Sequence, residues 1–529
     1  MRILLAYKAH AGGASDPYTS LLPIGLCYIN ALLKKGGYRS RIANLSGLGW
    51  KRVEALFKTE KPSILGISLY THNRMESLRL AALAKGLNPG CFVVLGGPHA
   101  THRARELLLR EPSIDAVVLG EGEETFLELA NSVAKGIRSI GAIRGIAFRR
   151  AKKVVFTRSR GLIEELDSLP LPAAFLDDAI GVDLHNQLEF IITSRGCPFS
   201  CRFCSSPSFW KRRVRFRSPR SIADEIRYIR DRYGLIYFSL RDDTFTLDRE
   251  RVMEFCSLII RERLHILWNC QTRANALDEE MLLWMKRAGC ECIQIGVESG
   301  SLKVLRELGK QVTPDQVRVA ALTARKVGMN LSVYLITGVP GETEEDLEDT
   351  LRLIEDIRAS DGQVSPLAYY PGTEQFEGDA EKGLVTKDLF ESERAEAFYV
   401  RDDPFVVKST GKLLAKLTEV AVRSRYRARD FRSHKETLGY CHVTNVMAGG
   451  FYEEEGEFGA AESEYREITG MEPDNPWGWL LLGELYGANG YPGKAKSCFE
   501  RLGMLVPNHA SVRKWGDKSK GGAKKRRTG

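Results

Sequence analysis

Three cysteines stand in a C-x3-C-x2-C run, at Cys197, Cys201 and Cys204, within Thr193-Ser194-Arg195-Gly196-Cys197-Pro198-Phe199-Ser200-Cys201-Arg202-Phe203-Cys204. Thiolates ligate iron well, and a compact Cys loop is a common way to hold an iron–sulfur cluster. A [4Fe-4S] cluster takes four ligands, so three close in sequence leave one iron open to something other than protein. A closed structural zinc site would need four Cys or His ligands. His185 and His265, the nearest histidines, are not in finger spacing. Ordinary buried thiols are the other alternative, and three in eight residues at a strand end argue against it. Further along, Arg241-Asp242-Asp243 and Glu298 each follow a short apolar run. A carboxylate suits an ammonium partner, or it is simply a solvated charge at a loop end or helix start.

The segments between these groups predict what positions them. Residues 188–193 read as a strand running into the cysteine loop. Ser218 and Pro219 suit the cap and first position of a helix reaching 233. Strand-like runs at 236–240, 266–272, 292–297, 331–336 and 364–370 alternate with helical patterns at 249–263 and 279–288 and from Thr313 and Thr343. Thr313 with Gln316, and Thr343 with Asp346, read as capping boxes. Six β–α units predict a partial (β/α)6 TIM-like barrel over residues 188–375. Its site would lie at the carboxyl ends of the strands, and the cysteine loop, the carboxylates and the Thr337-Gly338-Val339-Pro340-Gly341-Glu342 turn all fall there.

Residues 1–135 alternate strands (3–7, 40–44, 64–69, 92–95, 116–119) with helical runs such as 24–35 and 74–86. That pattern predicts a Rossmann-like α/β domain with a parallel sheet. Ligands of such sheets bind at the carboxyl ends of the strands. The loops there are Tyr70-Thr71-His72, Gly96-Gly97-Pro98-His99 and Gly120-Glu121-Gly122-Glu123. Glycine lets backbone approach a ligand closely, although each pair could also serve a tight turn. Residues 136–187 read as a connector, with a hairpin (145–149, 153–157) and a Pro-spaced linker (166–172).

The cysteine run, with Phe203 before its last cysteine, resembles the cluster motif of the radical S-adenosylmethionine (SAM) superfamily. The strands before it resemble the cobalamin (B12)-binding domain of B12-dependent members. That second likeness rests on Pro23-Ile24-Gly25-Leu26, Leu95-Gly96-Gly97-Pro98-His99-Ala100-Thr101 and Gly120-Glu121-Gly122-Glu123. The resemblance implies that Cys197, Cys201 and Cys204 ligate a [4Fe-4S] cluster beside Phe203, that the open iron chelates SAM, and that reductive cleavage gives a 5′-deoxyadenosyl radical. It implies that Asp242 or Asp243, standing where the family usually has Gly-Gly-Glu, binds the SAM amino group. It further implies that Glu298 binds ribose hydroxyls, and that the Gly338 turn nears the adenine or methionyl end. Tyr70, Thr71, Gly96, Gly97, Gly120, Glu121 and Gly122 would contact cobalamin. The chain has no D-x-H-x-x-G, so the implied cobalamin is base-off without a protein histidine. His72 and His99 read as hydrogen-bonding loop residues. The implied outcome is C-methylation, with ring contraction and oxidative cyclisation as alternatives. A small-molecule or peptide substrate and an electron donor such as flavodoxin or ferredoxin are implied as partners.

The chain has 529 residues, 43% of them hydrophobic, enough for about three packed domains. No run of eighteen apolar residues occurs, so no membrane partner is expected. Eleven cysteines, an odd number, suit a reducing, cytoplasmic setting. Net charge is +9, much of it from Lys518 to Arg527 and from Lys211-Arg212-Arg213 with Arg215 and Arg217, and a basic tail over 513–529 reads as disordered. No aromatics interleave with the charges of 518–527, so nucleic acid is not indicated. Residues 376–440 read as a helical extension, with a helical pattern over 389–426. Over 441–512, Gly449, Tyr452, Gly456, Ala461, Tyr465 and Pro473 recur as Gly483, Tyr486, Gly490, Ala495, Phe499 and Pro507, each 34 residues on. That period resembles the tetratricopeptide repeat (TPR) and implies an α-helical C-terminus, either a cap on the barrel or a groove for a protein partner. Two rival readings stay open. One is a radical SAM enzyme with an empty cobalamin domain; the other is a repeat-based adaptor with a structural cluster.

Overall fold

A computed structural model describes residues 1–9, 20–136, 140–394 and 397–515. The expected disordered tail from 513 begins later: 513–515 are helical, with Trp515 5.1 Å from the Phe499 ring, and the rest of the tail, from 516, lies outside the described residues. The first sheet has seven strands: β1 (Arg2–Tyr7), β2 (Arg39–Asn44), β3 (Ile64–Ser68), β4 (Phe92–Gly96), β5 (Ala116–Val118), β6 (Ile146–Arg150) and β7 (Lys153–Phe156). Their order is β2-β1-β3-β4-β5-β6-β7, and the first five are parallel. Every residue of β3 is buried, as expected for a central strand covered on both faces. The connector hairpin is part of this sheet: β6 pairs antiparallel with β5, Ala116 opposite Phe148.

The second sheet is built from β8 (Phe190–Ile191), β11 (Tyr237–Leu240), β12 (Leu267–Thr272), β13 (Cys290–Glu298), β14 (Asn330–Thr337) and β15 (Asp361–Pro366). These six parallel strands follow one another in chain order, which makes an open, partial barrel. Between β8 and β11, β9 (Ser194–Arg195) and β10 (Arg215–Phe216) form a separate antiparallel pair. The first barrel strand is therefore shorter than the predicted 188–193. A helix, Leu184–Leu188, takes the start of that run. At its end the backbone N–H groups of Thr193 and Ser194 donate to the Asp242 carboxylate rather than to a ladder.

The helix starts follow from local side chains. Ser218, Asp248, Asp278, Ser301, Thr313 and Thr343 each accept a backbone N–H of the first turn they precede. Trp268 is fully buried, edge-on to Phe245 and Phe255 at 5.5 and 5.7 Å between centroids, and anchors the core between β12 and the helix Arg249–Arg261.

The C-terminal region is helical, through Pro404–Ser424, Ala428–Leu438, His442–Glu454, Phe458–Met471, Pro476–Ala488 and Pro492–Leu505. The expected helix over 389–426 begins only at Pro404, where proline suits a first helical position and Asp403 caps the turn. The last four helices stack in sequence, and Gly449 and Gly483 leave room for the rings of Tyr465 and Phe499. Under the barrel, the buried Lys286 Nζ donates to Gly328 O at 2.5 Å beside Met447, and Arg263 pairs with Asp474. Among the described residues no helix is long and apolar enough to cross a membrane.

Candidate functional site

Two cavities open at the carboxyl ends of the two sheets. The first, about 350 Å³, lies between the sheets. On one side are Tyr70, Gly96, Gly97, Gly120, Glu121 and Gly122; on the other are Ser194, Arg195, Gly196, Arg241 and the Cys204–Ser206 segment. The second, about 270 Å³, lies in the barrel mouth and is lined by Cys197, Cys201, Phe203, Gln271, Arg273, Gln294, Glu298, Lys310 and Tyr334. Cys204, Ser206 and Asp243 line both.

The two adjacent aspartates have separate work. Asp242 is 1% exposed. Its carboxylate accepts from Thr193 N at 2.6 Å, Ser194 N at 3.0 Å and Thr193 Oγ1 at 2.5 Å, so it fixes the entry to the cysteine loop. Asp243 accepts from Ser206 Oγ at 2.5 Å and faces both cavities, and burial, followed by the neighbouring Asp242 charge, pushes its carboxyl above the usual range. Asp242→Asn is expected to cost about 1–3 kcal/mol, because a buried set of donors loses acceptors. Asp243→Asn should leave the thermal midpoint near wild type, because its carboxylate holds only Ser206. Thermal melts of the two variants check the split.

Glu298 ends β13 with a left-handed backbone (φ +64°), and its carboxylate accepts from Lys310 Nζ at 2.7 Å inside the second cavity. Gly338 also has a left-handed backbone (φ +79°), and its N–H donates to Glu342 at 2.6 Å. It lies beside Val406 and outside both cavities. Thr71 is buried against His99, Oγ1 to Nδ1 3.0 Å, and neither lines the first cavity. His72 is held by the Tyr7 hydroxyl at 3.0 Å.

Glu121, expected as a cofactor contact, reaches the cavity edge with its oxygens already engaged. Oε1 accepts from Arg195 at 2.6 Å; Oε2 accepts from Arg215 and Ile163 N, both at 2.7 Å. Arg195 also donates to Glu123 at 2.7 Å. The four side chains of this cluster are 3–8% exposed. They join the first domain to the residue two before Cys197.

The residues present fit the groups that the motifs imply. The three cysteines are free thiols, half-buried at one cavity. Among the described residues no three Cys, His, Asp or Glu side chains gather closely enough for one metal ion. The Arg273 guanidinium is buried beside Cys201 with its Nε unpartnered and, among the described residues, no carboxylate in ion-pair reach. A buried cation without a counter-charge is costly, and an anionic cluster on three thiolates would supply one. In the first cavity a Cβ added at Gly120 would meet nothing within 4 Å, so the backbone there is bare toward the space, as a large flat ligand requires. Sequence reasoning missed Arg273 and Lys310. Arg273 is the first residue past β12, a position that barrel chemistry marks; no local signal pointed to Lys310.

Comparison with known proteins extends this. The Radical SAM superfamily matches residues 191–354, and the B12 binding domain matches residues 14–130. The chain is 34% identical over 361 residues to an uncharacterized methyltransferase of Pyrococcus horikoshii, covering 67% of this chain and 78% of that one. It is 31% identical over 366 residues to the anaerobic magnesium-protoporphyrin IX monomethyl ester cyclase of Rubrivivax gelatinosus, covering 67% and 66%. Among solved structures, the radical S-adenosylmethionine methyltransferase TsrM from Kitasatospora setae aligns with a TM-score of 0.63 at 18% identity, over 82% of this chain and 90% of that one. The cobalamin-dependent S-adenosylmethionine radical enzyme OxsB aligns at 0.63 and 15%, over 100% and 82%. At those identities the likeness is one of fold. The chain is an enzyme of the radical SAM superfamily, in the group that carries a B12-binding domain ahead of the barrel.

Proposed function

We propose that this enzyme is a cobalamin-dependent radical SAM methyltransferase acting on a carbon of a small-molecule or peptide substrate. One observation carries the reading: the glycine-floored cavity and the cysteine-lined cavity meet at a common wall, Cys204, Ser206 and Asp243. When bound, a [4Fe-4S] cluster with SAM supplies a 5′-deoxyadenosyl radical, and cobalamin supplies a methyl group. The shared wall would bring both to one substrate atom. Cys197, Cys201 and Cys204 would hold the cluster. Asp243, oriented by Ser206, would receive the SAM ammonium, and Glu298, held by Lys310, would accept from ribose hydroxyls. Gly96 and Gly120, where an added Cβ would meet no atom nearer than 3.9 Å, would let cobalamin lie on backbone, with Gly97 and Gly122 beside them making room for Leu69 and Ile29, and with no histidine on cobalt. Eleven free cysteines suit a reducing cytoplasm and a protein electron donor of the flavodoxin or ferredoxin kind. The 34-residue spacing of the Gly449–Tyr465 and Gly483–Phe499 contacts supports a TPR-like reading of the last four helices.

The test is anaerobic turnover with methyl-labelled SAM, scoring bound cobalamin, 5′-deoxyadenosine and label in product. Label in product with both cofactors bound is the expected result. Deoxyadenosine with bound cobalamin and no transferred label would favour cyclisation, the activity named for the Rubrivivax relative. Deoxyadenosine without bound cobalamin would leave a SAM enzyme with an empty first domain.

A further inference from the structure

Arg273 follows β12 and is 4% exposed. Its Nη1 lies 3.7 Å from Cys201 Sγ, and its Nη2 donates to Gln311 O at 3.3 Å. The guanidinium carbon stands 3.7 Å over the ring of Phe199, which sits between Cys197 and Cys201 in the loop. Nε has no hydrogen-bond partner, and among the described residues no Asp or Glu pairs with the group. A guanidinium stays protonated at any working pH. Buried and unpaired, it is a fixed positive charge aimed at the sulfur of an expected cluster ligand.

We propose that Arg273 tunes the cluster, holding its reduction potential above the value that the three thiolates alone would set. The inference rests on the reading of Cys197, Cys201 and Cys204 as cluster ligands. Reduction adds one electron, hence one negative charge, to the cluster. A nearby cation stabilises the reduced form more than the oxidised form. A hydrogen bond to the ligand sulfur works in the same direction, because it withdraws density that the thiolate would donate to iron. Phe199 fixes the plane of the guanidinium by stacking, and Gln311 O fixes its far side, so the donor to Cys201 is held in place. A lysine could not meet ring, sulfur and carbonyl at once, because that takes a planar fork. The residue acts through Cys201 and is thus a positioning and tuning group, apart from SAM binding itself.

The experiment compares reconstituted wild type with Arg273→Lys, Arg273→Gln and Phe199→Leu. Iron and sulfide contents are assayed first. Each loaded protein is then titrated with dithionite in the presence of mediators and without SAM, following the EPR signal of the reduced cluster. The midpoint should move to more negative potential in the Gln variant. The Lys variant should fall between Gln and wild type, and Phe199→Leu should shift the same way by less. A residue serving structure alone would change cluster content and leave the midpoint of the loaded fraction where it was. Coincident midpoints in wild type and the variants that load would overturn the proposal. If the Gln variant fails to load, the Lys and Phe199→Leu midpoints decide. A wild type that takes up no iron overturns both the proposal and the cluster assignment beneath it; a wild type with a full cluster and an unmoved midpoint overturns only the role of Arg273.

Discussion

Cys201→Ala is expected to abolish iron–sulfur content and SAM cleavage together while leaving the far-UV circular dichroism unchanged. The three cysteines lie in a loop whose path is fixed by other groups. Arg202 N donates to Leu308 O at 2.9 Å, and the Asp242 carboxylate holds the loop's entry. Losing the Cys201 sulfur would therefore remove one proposed ligand and its contact with Arg273 while leaving those backbone bonds in place. A cluster held by three thiolates that loses one keeps two, too few to retain iron against chelators. The same result is expected for Cys197→Ala and Cys204→Ala. Buried Cys256→Ala should keep full iron content and serves as the control. Iron and sulfide assays with 5′-deoxyadenosine chromatography measure the outcome. A Cys201→Ala protein with full iron and undiminished cleavage would remove that residue from the ligand set.

Arg195→Met should destabilise the protein by about 3–5 kcal/mol, the usual result of breaking a buried ion pair from one side. Arg195 and Arg215 balance Glu121 and Glu123, so the cluster of four is neutral. Without Arg195 one carboxylate charge stays buried and unpaired, and the contact of the guanidinium with the Tyr28 ring, 4.8 Å away, is lost as well. Because Arg195 precedes Cys197 by two residues, cluster loading should fall along with the thermal midpoint. Adding Glu123→Gln should recover part of the loss, since the remaining Arg215–Glu121 pair is neutral again. Denaturant melts of the single and double variants measure this. A double variant no more stable than Arg195→Met would show that lost packing, rather than stranded charge, sets the cost.

The β–α alternation was legible where a barrel strand is an apolar-rich run closed by glycine or charge, as at β11, β13 and β14, a pattern local in sequence; the sixth strand, expected over 364–370, lies at Asp361–Pro366, a polar edge run without that signal. The caps at Thr313 and Thr343 were legible for the same reason, as their partners stand three residues away. What escaped was long-range. The arginine partners of Glu121 lie 74 and 94 residues downstream, and nothing near it distinguishes a cofactor contact from an ion pair. Asp242 and Asp243 look equivalent in sequence, yet successive residues at a strand end point to opposite sides. One faces the loop entry, the other the cavities. The shortening of β8 follows from the same carboxylate. The late helix start at Pro404 was local, marked by Asp403 and Pro404, and was obscured by the charged pattern running on from residue 389.

The hairpin β6–β7 has a consequence for how such proteins are taken apart and recombined. The last parallel strand of the first domain, β5, is only three residues long, all buried, and β6 covers its outer edge. A fragment cut at residue 135 would bare a short row of unpaired amides and carbonyls flanked by Ala116, Val117 and Val118, an invitation to intermolecular pairing and precipitation. The unit that can be transplanted between proteins, by an engineer or by gene fusion, therefore ends after the hairpin. The first domain travels with its own edge guard.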